Sequence, residues 1–415
     1  MDETTIMTEN VAKDMSYSIP TQVIGCGACG GKIVKDLIDY NIVPINKCLI
    51  VNSTDQDKPD TPCTFVNIGE PGEQGGCAKD TVKGYKYCKK AIQDGRLDLD
   101  TFIYPNTKKI YVITSLEGGT GCGSSRMIIK YLTNVTTIPI HIIGISGFEE
   151  DAQGLENSVK FLRKLDGDVT VSIICNKKYL KEVTNNDNLK AEKMCNIDVI
   201  NMVSILDGNI IIPSDKNIDS NDLLKLSTKP GYLSVCSTDI DEKIRNVDQF
   251  NSILKNMIDN CKAMDIKSPK QTSMGVFINL PPDEQINIDY SFDIIKEYYN
   301  TEESVCKDVF THVQYNPEMA NSISFVNAGM ELPTDEMQRM YDVYTILEEK
   351  NKSALKEKQR FFDAAQTMIF EDDEDDDDEE VIKKPKMSKN DFLASLGGNK
   401  KVVTNNKVTN KLDEF

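Results

Sequence analysis

Three short stretches combine residue types and spacings that could do chemistry. The first is Gly25-Cys26-Gly27-Ala28-Cys29-Gly30-Gly31-Lys32, entered by the apolar run 21–24 and followed by a helical pattern over 33–40. Its G-x-G-x-x-G spacing lets backbone approach a phosphate at a helix N-terminus, and a dinucleotide Rossmann site is its default meaning. It is not a Walker A loop, because Cys26 stands at the first glycine position and Ile33 where Ser or Thr belongs. The second stretch is Ser115-Leu-Glu-Gly118-Gly119-Thr120-Gly121-Cys122-Gly123-Ser124-Ser125, again between a strand pattern and a helix pattern. Four glycines, a threonine and three serines offer backbone N–H groups and hydroxyls without obstruction by Cβ, a nest suited to a di- or triphosphate. A purely structural turn would rarely need so many glycines, and a simple dinucleotide site does not need a second loop.

The third stretch, Asn217-Ile-Asp219-Ser-Asn-Asp222, places two carboxylates three residues apart where a loop enters a helix. Such a pair can aim at one point and polarise a water; it can equally be a helix cap with solvated acids. His141 and His312 lie in apolar surroundings with no cysteine or serine evidently paired to them, and are read as packed or surface side chains. Cys26 and Cys29 form a C-x-x-C, but no second pair completes a zinc site and both belong to the glycine loop. The 12 cysteines otherwise show no framework, which points to reduced thiols in a cytoplasm.

These stretches need elements to hold them. Continuous apolar runs at 47–51, 64–68, 110–114, 138–145 and 169–175 read as buried strands. Helical patterns at 79–92 and 124–132 lie between them, which points to a parallel sheet covered on both faces. Met194, Ile197, Ile200 and Val203 recur every three residues, the stripe of a long helix over 189–206. Beyond it the strand patterns 210–213, 231–236, 274–280 and 322–328 suggest a second, α+β domain, and Thr334 could cap a last helix running to about Ala365.

The expected organisation is a polar disordered leader (1–19), a Rossmann-like phosphate-binding domain (20–188), the central helix (189–206) and the α+β domain (207–333). A C-terminal helix (334–366) and a charged tail (367–415) complete it. The leader lacks the basic start and apolar centre of a signal peptide, and no run reaches the length of a membrane span. The formal net charge of −18 argues against a nucleic-acid surface over the whole chain. Ten consecutive acids, Glu371 to Glu380, cannot fold against their own repulsion, and a lysine-rich end follows.

In order and spacing these motifs resemble the tubulin/FtsZ superfamily. The second loop is similar to its phosphate signature G-G-T-G-[ST]-G, with Cys122 in the Ser/Thr place. Residues 24–34 line up with its first loop, Lys32 standing where FtsZ has Asn. Asn52 and Asp55 match its V-N-T-D segment with one residue more, and Gly75, Gly76, Cys77 and Ala78 match the loop sensing the terminal phosphate. The resemblance implies that Glu149, with Glu150 beside it, meets the ribose, although the arginine that follows in FtsZ is missing. It implies that Asn176 bonds guanine, with Asn196 near a second base contact, and that Mg²⁺ bridges the phosphates of GTP or GDP. It further implies that Asn217, Asp219 and Asp222 act on the γ-phosphate held by the next subunit of a filament. The long last helix and charged tail resemble the plasmid and phage tubulins TubZ and PhuZ, which implies filaments that move plasmid or phage DNA, a tail that docks on a neighbouring subunit, or an adaptor or cargo at the tail. Other readings are an FtsZ-like division filament, a nucleotide-binding scaffold without hydrolysis, and an NAD-dependent Rossmann oxidoreductase. The last needs an acid ending the second strand, where Asn52 stands.

Overall fold

The computed structural model describes residues 18–72, 75–165, 168–212, 218–240, 246–263, 273–280, 308–315 and 320–370. Ten strands form one hydrogen-bonded sheet: β1 (Thr21–Cys26), β2 (Cys48–Asn52), β3 (Thr64–Asn67), β4 (Lys109–Ser115), β5 (Ile140–Ser146), β6 (Thr170–Cys175), β7 (Gly231–Asp239), β8 (Ser273–Asn279), β9 (Asp308–Gln314) and β10 (Ser322–Met330). Their order is β3-β2-β1-β4-β5-β6-β7-β10-β8-β9. The stretch from β3 to β7 is parallel, as continuous apolar strands require when helices cover both faces. β10 then runs antiparallel to both β7 and β8.

The helices are α1 (Gly27–Asp39), α2 (Thr81–Gln93), α3 (Leu99–Phe102), α4 (Gly119–Val135), α5 (Ala152–Leu162), α6 (Asn176–Tyr179), α7 (Asn188–Leu206), α8 (Ser220–Ser227), α9 (Val247–Asp259) and α10 (Thr334–Phe370). One core layer gathers Ile24, Val112 and Ile142 of the sheet with Cys88 of α2, Ile128 of α4, Leu155 of α5 and Met340 of α10. On the other face Val23, Tyr111 and Ile143 pack with Ile33 of α1, Val199 and Val203 of α7 and Leu223 of α8. Each fully buried aliphatic side chain contributes roughly 1.5–3 kcal/mol. A smaller core joins α9 to β7, β8 and β10. The part of α10 up to Ser353 belongs to the main body. No helix of the described residues is long and apolar enough to cross a membrane.

The sheet runs unbroken from the first phosphate loop into the region read as a second domain, joined at a seam of two residue pairs, Thr170 with Gly231 and Val171 with Tyr232. The apolar run Ile210–Ile212 is not a strand. Gln314 of β9 instead grips its backbone, accepting from Ile212 N–H (3.0 Å) and donating to Ile210 O (3.0 Å). The last helix extends past Ala365 to Phe370. Sequence reading did not mark β9, α5 or α9 as elements, because their apolar residues are interleaved with polar ones. The expected disordered leader, except for Ser18 and Ile19, and the charged tail from Glu371 lie outside the described residues.

Candidate functional site

Strand register brings the ends of five parallel strands to one edge: Cys26 pairs with Val51 and Thr114, Ser115 with Ile145, and Ser146 with Cys175. The two glycine stretches leave that edge side by side. Gly27 has φ +71°, and a Cβ there would lie 2.9 Å from the Gly121 backbone. Only glycine meets both demands.

The helices leaving these loops, like the four-residue α6, lack the side-chain cap that most of the longer described helices carry. α2, α5, α7, α8 and α9 are each capped by an Asp or Asn side chain: Asp80, Asp151, Asp187, Asp219 and Asn246. α1 and α4 begin behind Cys26 and Gly118 with no side-chain cap and no acid in the first turn. Orphan backbone N–H groups and the positive ends of two helix dipoles therefore converge, which favours an anion.

The glycines divide into two groups. Gly30 lies against Ile113 O, Gly119 against Lys79 and Asp80, Gly121 against Thr114 Oγ1 and Cys26 O, and Gly123 against Thr81 O. A Cβ at any of them would fall under 3.0 Å from a neighbour, so packing alone accounts for these four. Gly31 and Gly76 meet only looser neighbours, while at Gly118 and Gly75 a Cβ would meet nothing within 4 Å, leaving Gly118 open beside the uncapped turn. The number of glycines is therefore a weaker argument for phosphate than it looked, and the open, uncapped turn is a stronger one.

Neighbouring loops close around this point. Ser53 Oγ lies 2.7 Å from Thr120 Oγ1, and Gly76 sits beside the same threonine. Asn52 is 2% exposed; its Oδ1 accepts from Ser53 N–H, while its Nδ2 has no partner among the described residues. Ala78 and Lys79 take φ +44° and +63°, strained for non-glycine residues. Asn157 of α5 holds that turn, donating to Lys79 O (2.9 Å) and to Glu117 O (3.1 Å). Sequence reading passed over both Asn157 and Glu117. Glu117 accepts from Gly147 N–H (3.0 Å) and so ties the phosphate loop to the loop bearing Glu149. Burial pushes its carboxyl up, partly offset by that N–H and by Lys79.

Glu149 has φ +61°, and its side chain is 6% exposed. Arg339 of α10 grips it with both terminal nitrogens, and Lys177 Nζ lies 2.6 Å from Oε2. Burial alone would raise its pKa, but hydrogen bonds from Arg339 and Lys177 bring it below the usual carboxylate range. Glu150 is exposed beside it. Asn176 is 8% exposed at the end of β6, and its Oδ1 is a buried acceptor with no partner among the described residues. Asn196 turns to α1 and donates to Asp36 (3.0 Å). One turn earlier on α7, Glu192 acts on Cys29, whose thiol is pushed to about 12 by burial and then by that charge. Cys26, also pushed to about 12 by burial, is a free thiol like Cys29, so nothing here favours redox or zinc chemistry at the C-x-x-C. The sequence placed Ala28, Gly31 and Cys122 in loops, but helix already begins at Gly27 and Gly119, so they sit in the first turns of α1 and α4. Cys77 lies in the loop before α2, and Lys32 and Asp55 are exposed nearby.

The third motif lies elsewhere. The segment from α7 to β7 begins and ends at the edge where the strands start. Asp207 O accepts from Ile19 N–H, Ser18 bonds Asn209, and Lys109, the first residue of β4, donates to Leu206 O (3.2 Å) and Ser227 Oγ (3.0 Å). Asp219 caps α8, accepting from Asn221 and Asp222 N–H, and Asp222 sits in the first turn. Asn217 lies outside the described residues. Parallel strands of six or seven residues separate this edge from the glycine loops by about 20 Å. His141 does have a serine partner, Ser172 (2.9 Å), but both are buried mid-strand and Ser172 also donates to Leu233 O.

Among the described residues no three His, Cys, Asp or Glu side chains gather as a metal site would require. No family model matches the chain. It is similar to the tubulin-like protein CetZ2 of Haloferax volcanii, 26% identical over 149 residues, which are 34% of this chain and 41% of that one. It is also similar to the cell division protein FtsZ of Helicobacter pylori, 24% identical over 204 residues, 48% and 52% of the two chains. The matched stretches thus span about half the length of these relatives or less. The fold is shared over more: a GTPγS-bound protofilament of CetZ2 superposes with a TM-score of 0.65 at 17% identity, covering 80% of this chain and all of that one. The chain thus has the fold of these tubulin-like proteins. The GTPγS-form protofilament of TubZ from Bacillus thuringiensis matches with a TM-score of 0.65 at 17% identity, covering 83% and 97%.

Proposed function

We propose that this protein binds GTP at the glycine-loop edge, polymerises head to tail, and hydrolyses GTP at sites completed by the next subunit. One observation carries the reading. The glycine turns and the segment carrying Asp219 and Asp222, which is anchored at Leu206 and Ser227, leave opposite ends of strands about 20 Å long, so one chain would hold cradle and acids apart. Stacking one subunit's lower edge on its neighbour's upper edge would bring them together. CetZ2 and TubZ, with which the fold is shared, were both solved as GTPγS protofilaments.

In this reading the uncapped starts of α1 and α4, with Gly118 and Thr120, hold the phosphates. The loop Gly75–Ala78 faces the terminal one, with Asn52 and Asp55 close by. Glu149 accepts from a ribose hydroxyl. The orphan Oδ1 of Asn176 suits guanine, whose Watson–Crick edge donates, and would leave adenine poorly matched. Asn196 or Glu192 of α7 faces the base from the other side. Magnesium, held through phosphate oxygens, would neutralise charge developing on them. Asp219 and Asp222, with Asn217, would orient and polarise the attacking water, so catalysis rests on positioning and electrostatics.

The TubZ-like layout favours a filament that positions plasmid or phage DNA, with an adaptor or cargo attached beyond α10. The experiment uses Asp219→Asn with Asp222→Asn, because asparagine still caps a helix. GTP turnover is expected to fall on the order of a hundredfold while filaments still form under the electron microscope. Mixing this variant with a cradle-blocked Gly118→Val subunit should restore turnover that neither shows alone. No recovery, or undiminished turnover in the double variant, sinks the shared site. Removing 371–415 should spare turnover and end co-sedimentation of DNA from a cell extract; DNA retained by the truncated filament refutes the tail's role.

A further inference from the structure

The sequence offers no arginine just after Glu149, yet the structure supplies one from far along the chain. Arg339 lies 190 residues away, and its fork meets both oxygens of Glu149 while its Nε pairs with Glu336 one turn back. The helix carrying it is seated firmly. Met340 is fully buried, Met337, Val343 and Leu347 pack on the sheet-side core, and Arg163 lies over the Tyr341 ring at 5.2 Å.

We propose that Arg339 is a positioning residue of the nucleotide site: it fixes the plane of the Glu149 carboxylate so that one acceptor site faces the ribose. This rests on the reading that Glu149 meets the sugar. A carboxylate offers about four lone-pair directions. Oε2 takes the Arg339 Nη1 (2.9 Å) and Lys177 Nζ (2.6 Å), and Oε1 takes the Arg339 Nη2. One direction remains, on Oε1, for one hydroxyl donor. Lys177 alone cannot set that direction, because a single contact to Oε2 leaves the carboxylate to turn about it. The planar guanidinium removes that freedom, and a lysine at 339 could not. Glu149 is also well placed: its loop is tied through Gly147 to Glu117, next to Gly118, and Lys177 follows Asn176 directly. The first turns of α10 thereby become part of the sugar site.

The test compares the affinities of GTP, 2′-deoxy-GTP and 3′-deoxy-GTP for the full-length protein, its Arg339→Ala and Arg339→Lys variants, and Glu149→Gln. The wild type should bind GTP about tenfold more tightly than one of the deoxy analogues. Arg339→Ala and Glu149→Gln should bring that ratio close to one, and Arg339→Lys should leave it in between. Circular dichroism and binding of GTP itself confirm that each variant is folded; a variant that fails to fold is replaced by Arg339→Gln. A wild-type ratio near one for both analogues overturns the ribose reading of Glu149. A clear wild-type ratio that persists in the Arg339 variants overturns the role of Arg339 alone.

Discussion

The two edges of the sheet solve opposite problems with the same backbone. At the upper edge, where the strands end, polar groups are left unmet: two uncapped helices, the orphan Nδ2 of Asn52 and the orphan Oδ1 of Asn176. At the lower edge, where the strands start, Asp207 gathers the neighbouring polar side chains into one network. Asp207 accepts from Thr21 Oγ1 (2.7 Å) and Tyr111 Oη (2.9 Å) and pairs with Lys109 at 2.8 Å, with Lys109 fully buried. Buried polar groups left without partners are costly, so Asn52 and Asn176, lying beside two uncapped helix starts, mark where a ligand is expected. The network at the other edge fixes the end of α7 and the start of the segment bearing Asp219. One edge keeps polar groups open, and the other anchors both ends of the segment that carries Asp219.

The largest effect should come from breaking the lower edge. Asp207→Ala strands the buried Lys109 ammonium and removes the acceptor of Tyr111 and Thr21, a loss of about 3–5 kcal/mol for a broken buried pair. Urea unfolding measures it. Joint replacement, Lys109→Met with Asp207→Leu, should recover the part due to the stranded ammonium, leaving the cost of the unmet Tyr111 and Thr21 hydroxyls. If the double variant is as unstable as Asp207→Ala, the network does more than satisfy its own charges.

The upper edge can be divided by its glycines. Gly121→Ala forces a Cβ to 2.8 Å from Thr114 Oγ1 and 2.9 Å from Cys26 O, an overpacking cost of about 1–3 kcal/mol. Gly118→Ala meets nothing within 4 Å at a φ of −79°, so its unfolding midpoint should match the wild type. Its GTP affinity should nevertheless drop about tenfold, because the added methyl enters the cradle. Equal affinities in Gly118→Ala and wild type would move the phosphates away from this turn.

This contrast also explains what could be read from sequence. The parallel strands and both loops were legible because glycine runs and unbroken apolar runs are local signals. Asp219 and Asp222 were legible as part of a motif but not as a place, since which end of the sheet their segment leaves depends on strand register. Arg339, Glu117 and Asn157 carried no signal: each looks like an ordinary polar helix or loop residue, and its meaning comes from a partner 30 to 190 residues away. The helical period did place α7 within a residue, while the edge strand β9 was hidden by its charged and polar residues.

The upper edge also contains its own smaller contrast, between two carboxylates. Burial raises Glu117 above its unfolded value of about 4.3, so its share of stability is present below about pH 4.3 and lost as pH rises through the folded value. Burial acts on Glu149 as well, but hydrogen bonds from Arg339 and Lys177 reverse it, so its share is present above about pH 4.3 and lost as pH falls through a lower folded value. Relative to wild type, Glu117→Gln should therefore be more stable at pH 7, by no more than about 1 kcal/mol, with the difference vanishing in acid. Glu149→Gln should be less stable at pH 7 and approach the wild type in acid. Unfolding midpoints across this range give both signs, and two variants that move in the same direction would mean that the grip of Arg339 on Glu149 does not outweigh burial.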